Sequence, residues 1–492
     1  MACWLLTGAT GLLGQYLLRD LLLRGERVCV LTRETRNRTA EERIESHFPR
    51  WESEAGRRLL RPTVLAGELT QPDLGLSATD QHWVKRNVEA VLHSAASLSF
   101  TLEANGEPYR SNVEGTRNLL GLCRQLSVRR FCHVSTAYVF GQSSGRFWED
   151  EFDVGQTPAN EYERSKIQSE QLVREAEFLY PPTILRPSII VGDSQTGFTS
   201  TFHGFYAPFQ LACTLVKQGL DEISPDFLEQ FHLTGKDRKN FVPVDWVSQA
   251  ATRIILNPLA RGRTFHLVHP VPTGMLTVWK AWAISLERWV AGARATNGKP
   301  PVKVARASAE QYLKTQLEVY RDYWRDDPIF DSSNTQAFTP GLRCPLLDVD
   351  LLVRLCKFAA AANFGMSTLG GPRDQAATAI PWNVGSRPFE GSPNDEETTT
   401  LILEVLGAQG GQWRLPLSSS LTFSHAVANP TPPVIRLSGE TWKAIAAGRI
   451  SARQAIAGGR VWMHNSDRSG LDWPVLLERA IHLQSSTCAA PT

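Results

Sequence analysis

Cysteine is sparse in this chain of 492 residues, and its positions follow no metal-binding pattern. The eight cysteines are scattered, with no Cys-x-x-Cys pair and no Cys/His spacing of the kind that holds zinc. The sequence therefore predicts neither a metal site nor a disulfide framework. Free thiols of this kind fit a reducing compartment.

Strong charge of one sign and long hydrophobic runs are also missing. The formal net charge is +2, and no basic run could follow a phosphate backbone, so we expect no nucleic-acid partner. The apolar run 351–364 is interrupted by Arg354 and Lys357 and is too short to span a bilayer. Because a strand is predicted to begin at Cys3, we expect no signal peptide. We expect a soluble, cytoplasmic protein, while peripheral membrane contact and the oligomeric state stay open.

A tyrosine and a lysine four residues apart, Tyr162 and Lys166, are the first candidates for chemistry. Residues 161–178 follow a helical pattern, which places both side chains on one face. A nearby ammonium favours the phenolate, so Lys166 is expected to lower the tyrosine pKa from its usual value of roughly 10. The pair could then exchange a proton with a carbonyl or carbinol oxygen. The same spacing also occurs on ordinary solvated helices. Whether it indicates a catalytic pair therefore depends on the neighbouring motifs.

A glycine-rich turn joins the apolar strand 3–7 to the amphipathic helix 12–24. Its glycines, Gly8, Gly11 and Gly14, allow a tight turn and a close approach of the backbone to a ligand. The helix N-terminus then presents free N–H groups to a pyrophosphate. The alternative, a purely structural turn, fits this placement between strand and helix less well.

The second strand, 27–31, is followed by a basic stretch without an acidic residue. Folds selective for NAD usually place Asp or Glu at this point, on the ribose hydroxyls. Arg33, with Arg36 and Arg38 behind it, could instead hold a 2′-phosphate by bidentate contacts. NADPH is therefore the expected cofactor, although Arg36 and Arg38 taken singly also fit an ordinary basic loop.

Strand and helix patterns alternate along the first 190 residues. Strands are expected at 63–66, 90–93, 131–134 and 183–185, and the clearest helices at 112–125 and 161–178. This alternation predicts an α/β fold, a Rossmann-type doubly wound parallel sheet with helices on both faces. Ligands of such sheets bind beyond the carboxyl ends of the strands. Small or polar clusters follow the strands there: Gly67-Glu68-Leu69, His93-Ser94-Ala95-Ala96, Ser135-Thr136-Ala137-Tyr138 and Arg186-Pro187-Ser188.

Taken in order, these motifs resemble the extended short-chain dehydrogenase/reductases. The segments 67–76 and 93–100 more narrowly resemble the thioester reductase and fatty acyl-CoA reductase branch, the male sterility branch with an NAD-binding domain. In that branch a Gly-Asp-Leu segment ends the third strand, whereas this chain has Glu68 at the acidic position, an expected adenine contact. The resemblance covers about residues 1–365.

The resemblance implies roles for particular residues. Thr136, with Ser135 as the alternative, would bond the substrate carbonyl oxygen. Tyr162 would donate the proton, and Lys166 would bond the nicotinamide ribose. Two hydroxyls aimed at a carbonyl oxygen stabilise the charge that develops there during hydride transfer. Besides Tyr162 and Lys166, the expected cofactor contacts are Gly8, Thr10, Gly11, Leu12, Leu13, Gly14, Arg33, Arg38, Glu68, Leu69, Ser94, Ala95, Ala96, Asn112, Pro187, Ser188 and Ile189.

Residues 191–365 are expected to form a substrate-binding part beside the cofactor part at about 1–190. The stretch 198–215 is rich in Phe, Tyr and Leu, so it could wall a tunnel for an acyl chain or pack as an amphipathic helix on the core. His203 and His232 nearby are more typical of structural than of catalytic histidines. Asp245, before an apolar helical pattern, is expected to cap that helix.

Residues 366–395 are dominated by Gly, Pro, Ser and Thr, which predicts an interdomain linker. After it we expect a hairpin of 398–406 with 412–417, strands at 434–437 and 461–464, short helices starting at Ser438 and Ser451, and a helix at 473–483. The unit 396–492 resembles the sterol-carrier-protein type 2 fold, an α+β domain over an apolar tunnel, without its usual leading helix. The alternative is a dimerisation module with a filled core.

The function expected from these features is NADPH-dependent reduction of a fatty acyl or related thioester to an aldehyde or alcohol. The substrate is a small acyl or lipid molecule, carried on coenzyme A or on an acyl carrier protein, and the second unit would hold lipid. One alternative is a sterol or other secondary-alcohol dehydrogenase. Another is an NADP(H)-sensing lipid carrier, which the complete set of Thr136, Tyr162 and Lys166 disfavours.

Overall fold

The computed structural model describes residues 3–217, 236–297, 325–365, 400–406, 411–416, 434–438, 451–457 and 461–464, with the single positions 445, 447 and 477. Contacts along the chain divide it into two units, Met1–Leu369 and Gly370–Thr492. The predicted linker at 366–395 lies outside the described residues, so the expected domain boundaries stay predictions.

A sheet of seven parallel strands forms the centre of the first unit. The strands are β1 (Cys3–Thr7), β2 (Arg27–Thr32), β3 (Thr63–Ala66), β4 (Val88–His93), β5 (Arg130–Val134), β7 (Thr183–Pro187) and β11 (Thr264–Leu267). Their spatial order is β3-β2-β1-β4-β5-β7-β11, which confirms the predicted Rossmann-type doubly wound sheet. Thr7, the last residue of β1, pairs with Leu31 on one side and His93 on the other. The carboxyl ends of the central strands therefore meet at one edge.

Helices cover both faces of this sheet, as the alternation predicts. They are α1 (Leu12–Leu23), α2 (Ala40–Glu45), α3 (Phe48–Ala55), α4 (Ala78–Asn87), α5 (Gly115–Leu126), α6 (Glu161–Arg174) and α8 (Val244–Leu256). One apolar core joins the sheet to α1, α3 and α8, and another joins it to α4, α5 and α6. A π-helical turn, Arg110–Glu114, precedes α5.

Two details of the predicted helices are wrong. The sixth helix ends at Arg174 rather than at Phe178, because the following residues turn to bury Leu179 in the core and Tyr180 N–H donates to Arg129 O at 2.8 Å. Asp245 does not cap α8, whose N-cap is Pro243. The Asp245 carboxylate instead accepts bonds from the N–H and hydroxyl of Ser194.

The substrate part has its own core, built around three helices. These are α7 (Tyr206–Lys217), α9 (Met275–Asn297) and, beyond the short α10 (Ser333–Phe338), α11 (Val349–Ala361). Phe205, Tyr206 and Phe209 are fully buried in that core, so their rings pack as core residues rather than line a tunnel. His203 is exposed, and His232 lies outside the described residues.

Three pairs of short strands complete the first unit. They are β6 (Arg146–Phe147) with β13 (Ile329–Phe330), β8 (Ile189–Val191) with β10 (Phe241–Pro243), and β9 (Arg238–Lys239) with β12 (Thr273–Gly274). Across the ranges given above, no helix has the length and apolar character that crossing a bilayer requires.

The described part of the second unit is a four-stranded mixed sheet with one helix. Its strands, β14 (Thr400–Leu406), β15 (Gly411–Pro416), β16 (Val434–Ser438) and β17 (Val461–His464), lie in the order β15-β14-β16-β17. The expected hairpin is confirmed by antiparallel pairing of β14 and β15. Ser451 caps α12 (Ala452–Ala457), since its hydroxyl accepts from Gln454 N–H at 3.1 Å. The helices expected from Ser438 and over 473–483 fall almost wholly outside the described residues.

Candidate active site

The glycine-rich turn sits where the chain leaves β1, tightly packed against the end of β4. Gly8 has a φ of +75°, and a Cβ there would lie 2.6 Å from the backbone nitrogen of Ala95. A side chain at Gly14 would collide with the carbonyl oxygen of Gly8. Gly11 is the N-cap of α1 and contributes no capping side chain. The N–H groups of the first turn are therefore available to an anionic ligand, as the binding of a pyrophosphate requires.

A buried histidine fixes the backbone beside this turn. His93 Nδ1 lies 2.7 Å from Thr7 Oγ1, and its Nε2 lies 3.0 Å from Thr116 Oγ1. Thr7 Oγ1 in turn accepts the N–H groups of Ser94 and Ala95. Burial lowers the pKa of His93 to about 3, so the ring is neutral at physiological pH. The histidine holds the segment after β4 in place.

Thr136, Tyr162 and Lys166 converge at the carboxyl edge of the sheet. Asn160 caps α6 by accepting the N–H of Glu163 at 2.9 Å, which places Tyr162 in the first turn. The hydroxyl of Thr136 lies close enough to the Tyr162 phenol to favour its ionised form. Lys166 is buried, and its Nζ donates to Val134 O at the end of β5 at 2.8 Å. The structure therefore brings together the predicted pair of hydroxyls and the predicted cation.

The expected lowering of the tyrosine pKa is wrong for this structure. Burial raises the pKa of Tyr162 to about 12, and the nearby hydroxyl of Thr136 offsets only part of that shift. The Lys166 ammonium is directed at Val134 O rather than at the phenol. Burial lowers the pKa of Lys166 to about 8. Tyr162 is therefore fully protonated at neutral pH and has a proton to donate.

Ser135, the alternative hydroxyl, lies on the other side of the strand end. Its N–H donates to Leu185 O at 2.7 Å, and its buried side chain faces Glu170. Glu170 forms a fully buried ion pair with Arg186 at 2.7 Å. Thr136, and not Ser135, is the residue placed beside Tyr162.

Asn112 connects two parts of the site. Its side chain accepts the N–H of Ser97 at 2.7 Å and donates to Ser97 O and to Ser165 Oγ. Ser165 lies between the tyrosine and the lysine of α6 and bonds Tyr162 O at 2.7 Å. Asn112, expected to contact the cofactor, therefore braces the segment after β4 against α6 through all three of these bonds.

Near the end of β2, where the sequence predicts the adenosine ribose, lies Arg43, which is not among the residues predicted from the sequence. Arg43 on α2 donates to Thr10 Oγ1 at 3.0 Å and to Arg33 O at 2.6 Å, so it spans the glycine-rich turn and the end of β2. Arg33 is 69% exposed and pairs with Glu68 at 3.4 Å, and Arg38 is exposed. The capping box of Thr39 and Glu42 that starts α2 was the sequence signal that could have placed Arg43.

The remaining predicted cofactor residues lie along the same edge. Leu12 and Leu13 are buried at the start of α1, and Ala96 is exposed. Leu69 O accepts from Asn118, and Pro187 O lies 3.5 Å from the hydroxyl of Thr136. Ser188 Oγ and the N–H of Ile189 both bond Asn240. Their roles toward a cofactor stay predictions.

Comparison with known proteins places the chain in a family. The profile described as male sterility protein matches residues 6–251, half of the chain. The chain belongs to the male sterility protein family. The first unit is therefore an NAD(P)-binding oxidoreductase domain of the extended short-chain dehydrogenase/reductase type.

Individual relatives of this male sterility family protein include synthetases and reductases. It is 27% identical to a non-canonical nonribosomal peptide synthetase of Cladobotryum sp over 395 residues, which cover 72% of this chain and 36% of the relative. It is 27% identical to a fatty acyl-CoA reductase of Drosophila melanogaster over 239 residues, 41% of this chain and 46% of that protein. The chain thus spans less than half the length of these relatives.

A solved structure shows the same fold over most of the chain. The terminal R domain from the myxalamid biosynthetic pathway superposes with a TM-score of 0.57 at 25% identity and covers 74% of this chain and 92% of that one.

Proposed function

We propose that the first unit reduces an acyl thioester with NADPH, giving an aldehyde or an alcohol. The observation that carries the proposal is the close approach of Thr136 and Tyr162, with the buried Lys166 one helical turn after the tyrosine, at the sheet edge that also holds the glycine-rich turn. The similarity to a fatty acyl-CoA reductase and to a peptide synthetase supports a thioester as the substrate.

Each residue at the site would have its own role in the reaction. Bound NADPH would supply the hydride. The hydroxyls of Thr136 and Tyr162 would hold the thioester carbonyl oxygen and stabilise the negative charge that develops on it. Because its pKa is raised to about 12, Tyr162 keeps its proton until the oxygen becomes strongly basic, and then donates it. The hemithioacetal so formed expels the thiol and leaves the aldehyde.

NADPH rather than NADH is the donor we propose, on the strength of two arginines. Arg43 lies between Thr10 and Arg33 O, where the adenosine ribose of a dinucleotide lies in such folds. Arg33 follows on the exposed side of the same loop. Two guanidinium groups without an acidic residue in the ribose position suit a 2′-phosphate.

For the second unit we propose a lipid-holding role, with residues 1–365 as the reductase part, 366–395 as the linker and 396–492 as a sterol-carrier-like domain. The mixed sheet and the capped helix α12 are compatible with such a domain. A module that binds lipid raises the local concentration of a poorly soluble substrate near the reductase.

The experiment that tests the proposal is a product assay. The full chain is incubated with NADPH or NADH and with acyl-CoA, fatty aldehyde or sterol substrates, and the products are identified by mass spectrometry. We expect aldehyde or alcohol from acyl-CoA with NADPH. Oxidation of a sterol with no reduction of any thioester would overturn the proposal in favour of a secondary-alcohol dehydrogenase.

A further inference from the structure

A short segment after β4, residues 97–107, crosses the start of α6 in a fixed conformation. Both backbone groups of Ser97 bond the side chain of Asn112. Phe100 O accepts the N–H of Glu161 at 3.1 Å, and Glu103 N–H donates to Glu107 O at 2.8 Å. The segment is therefore held at its beginning, its middle and its end.

The middle of this segment touches the proposed proton donor. The ring of Phe100 lies 6.1 Å from the ring of Tyr162, centroid to centroid, at an angle of 42°. Leu98 and Leu102, two residues away on either side, are 48% and 65% exposed. Exposed apolar side chains that continue an active-site surface are typical of a ligand contact.

We infer that Leu98, Phe100 and Leu102 form an apolar wall that receives the aliphatic chain of the acyl group, from the carbons near the thioester carbonyl outward. This inference rests on the proposed function and names its substrate class. A carbonyl oxygen bonded to the Tyr162 hydroxyl has its carbon chain within reach of the adjoining Phe100 ring. The wall then removes those carbons from water.

The charges of the segment favour an aliphatic group over an anionic one. Its charged residues, Glu103 and Glu107, are both acidic. The segment offers no cation to a carboxylate or phosphate, which would lose its hydration at the wall, whereas methylene groups gain about 0.8 kcal/mol each on burial. The wall therefore selects acyl groups that carry a longer aliphatic chain.

The test compares short and long acyl groups on one small thiol. Butyryl and decanoyl thioesters of N-acetylcysteamine are reduced with NADPH by the full chain and by the double variant Leu98→Ser/Leu102→Ser. Both leucines are exposed, so the variant should fold. We expect kcat/KM for the decanoyl thioester to fall about tenfold, and for the butyryl thioester by less than about threefold, because fewer methylene groups reach the wall.

A matched control and a second variant make the result decisive. Leu259 is 73% exposed in the turn before β11, at the opposite edge of the sheet, so Leu259→Ser should leave both rates unchanged. Phe100→Leu, which keeps an apolar side chain, should retain the preference for the decanoyl thioester, and Phe100→Ser should lose it. Equal losses of kcat/KM on both thioesters in the double variant would contradict the apolar wall but not the proposed reductase function. Reduction of neither thioester by the unaltered chain would overturn the proposed function and this inference together.

Discussion

Lys166 and Lys239 are both buried in the first unit, and they differ in what holds their charge. Lys239 Nζ lies 2.5 Å from Asp327 Oδ1, and Asp327 also accepts from Tyr138 and from Asn240 N–H. Lys166 Nζ donates to a neutral carbonyl, and no ion pair involving it occurs among the residues described. A buried ammonium with a carboxylate partner is a structural element, whereas one without a partner is suited to bind a ligand.

Removing the charge of Lys166 should have the largest effect on turnover. Lys166→Met keeps the length of the side chain but removes the buried cation that lies one helical turn after Tyr162. We expect kcat for thioester reduction to fall by about a hundredfold or more, with weaker NADPH binding and an unchanged melting temperature. The measurements are steady-state kinetics, nucleotide titration and thermal unfolding.

The pH dependence of the unaltered chain provides the control. Since burial lowers the pKa of Lys166 to about 8, the ammonium is present below that pH and is lost above it. The value of kcat/KM should therefore decline as the pH rises through about 8. Lys166→Arg should extend the plateau to higher pH, because a guanidinium stays protonated. A flat profile to pH 10 in the unaltered chain would exclude Lys166 as the titrating group.

Lys239→Met should lower the stability of the protein more than its turnover. The substitution leaves Asp327 buried without its cation, so the free energy of unfolding should fall by about 3 kcal/mol. Turnover of the molecules that remain folded should stay within about threefold of the original. Chemical denaturation and kinetics below the new melting temperature measure the two effects. Loss of activity without loss of stability would contradict the assignment of a structural role to Lys239.

Two arginines also differ in whether a carboxylate pairs with them, and we expect a smaller effect on nucleotide preference from replacing the one that is not paired. Arg186 is paired with Glu170, whereas in the described part of the chain Arg43 bonds hydroxyl and carbonyl groups only. Arg43→Leu should lower the NADPH/NADH preference by about tenfold, or about 1.4 kcal/mol, if it holds the 2′-phosphate. Arg33→Leu should lower it less, because that side chain is exposed and paired with Glu68. The ratio of the two dissociation constants is the measurement, and an unchanged ratio in both variants would contradict the proposed phosphate contacts.

The smallest expected effect concerns the contrast between the two units. Truncation after Gly371 should leave a folded reductase that binds NADPH, because the linker composition predicts a separate core on each side. KM for long acyl chains should rise by about threefold or more, while kcat and the KM for short chains change little. The isolated piece 392–492 should bind a fluorescent acyl probe. Equal effects on long and short chains, with no probe bound, would make the second unit a structural or dimerisation module.

The sequence predicted those features that depend on local spacing. The glycine-rich turn and the Tyr162–Lys166 pair follow from patterns within a few residues, and both lie where the alternation of strands and helices placed them. The ion pair of Lys239 and Asp327 joins residues 88 positions apart in a part without a regular period, so no local pattern indicates it. Arg43 was missed for a related reason, since its contacts depend on how α2 packs against the turn.

The pKa of Tyr162 is a second property that residue spacing alone does not predict. Spacing indicates that a lysine lies on the same helical face, but it does not give the direction of the ammonium or the depth of burial. The bond to Val134 O and the burial of the phenol decide the direction of the shift, and both depend on the packing of α6 against β5.

Transfer of the label from deuterated NADPH in a single turnover tests the central claim most directly. The full chain and Tyr162→Phe are mixed with NADPH labelled at C4 on the transferring face and a decanoyl thioester, and the product is analysed by mass spectrometry. The unaltered chain should give decanal or decanol carrying deuterium at C1. Tyr162→Phe should bind NADPH equally well and form the labelled product at least about a hundredfold more slowly, because the ring still packs but has no proton to donate. Absence of label in the product of the unaltered chain, or an unchanged rate in Tyr162→Phe, would contradict the account.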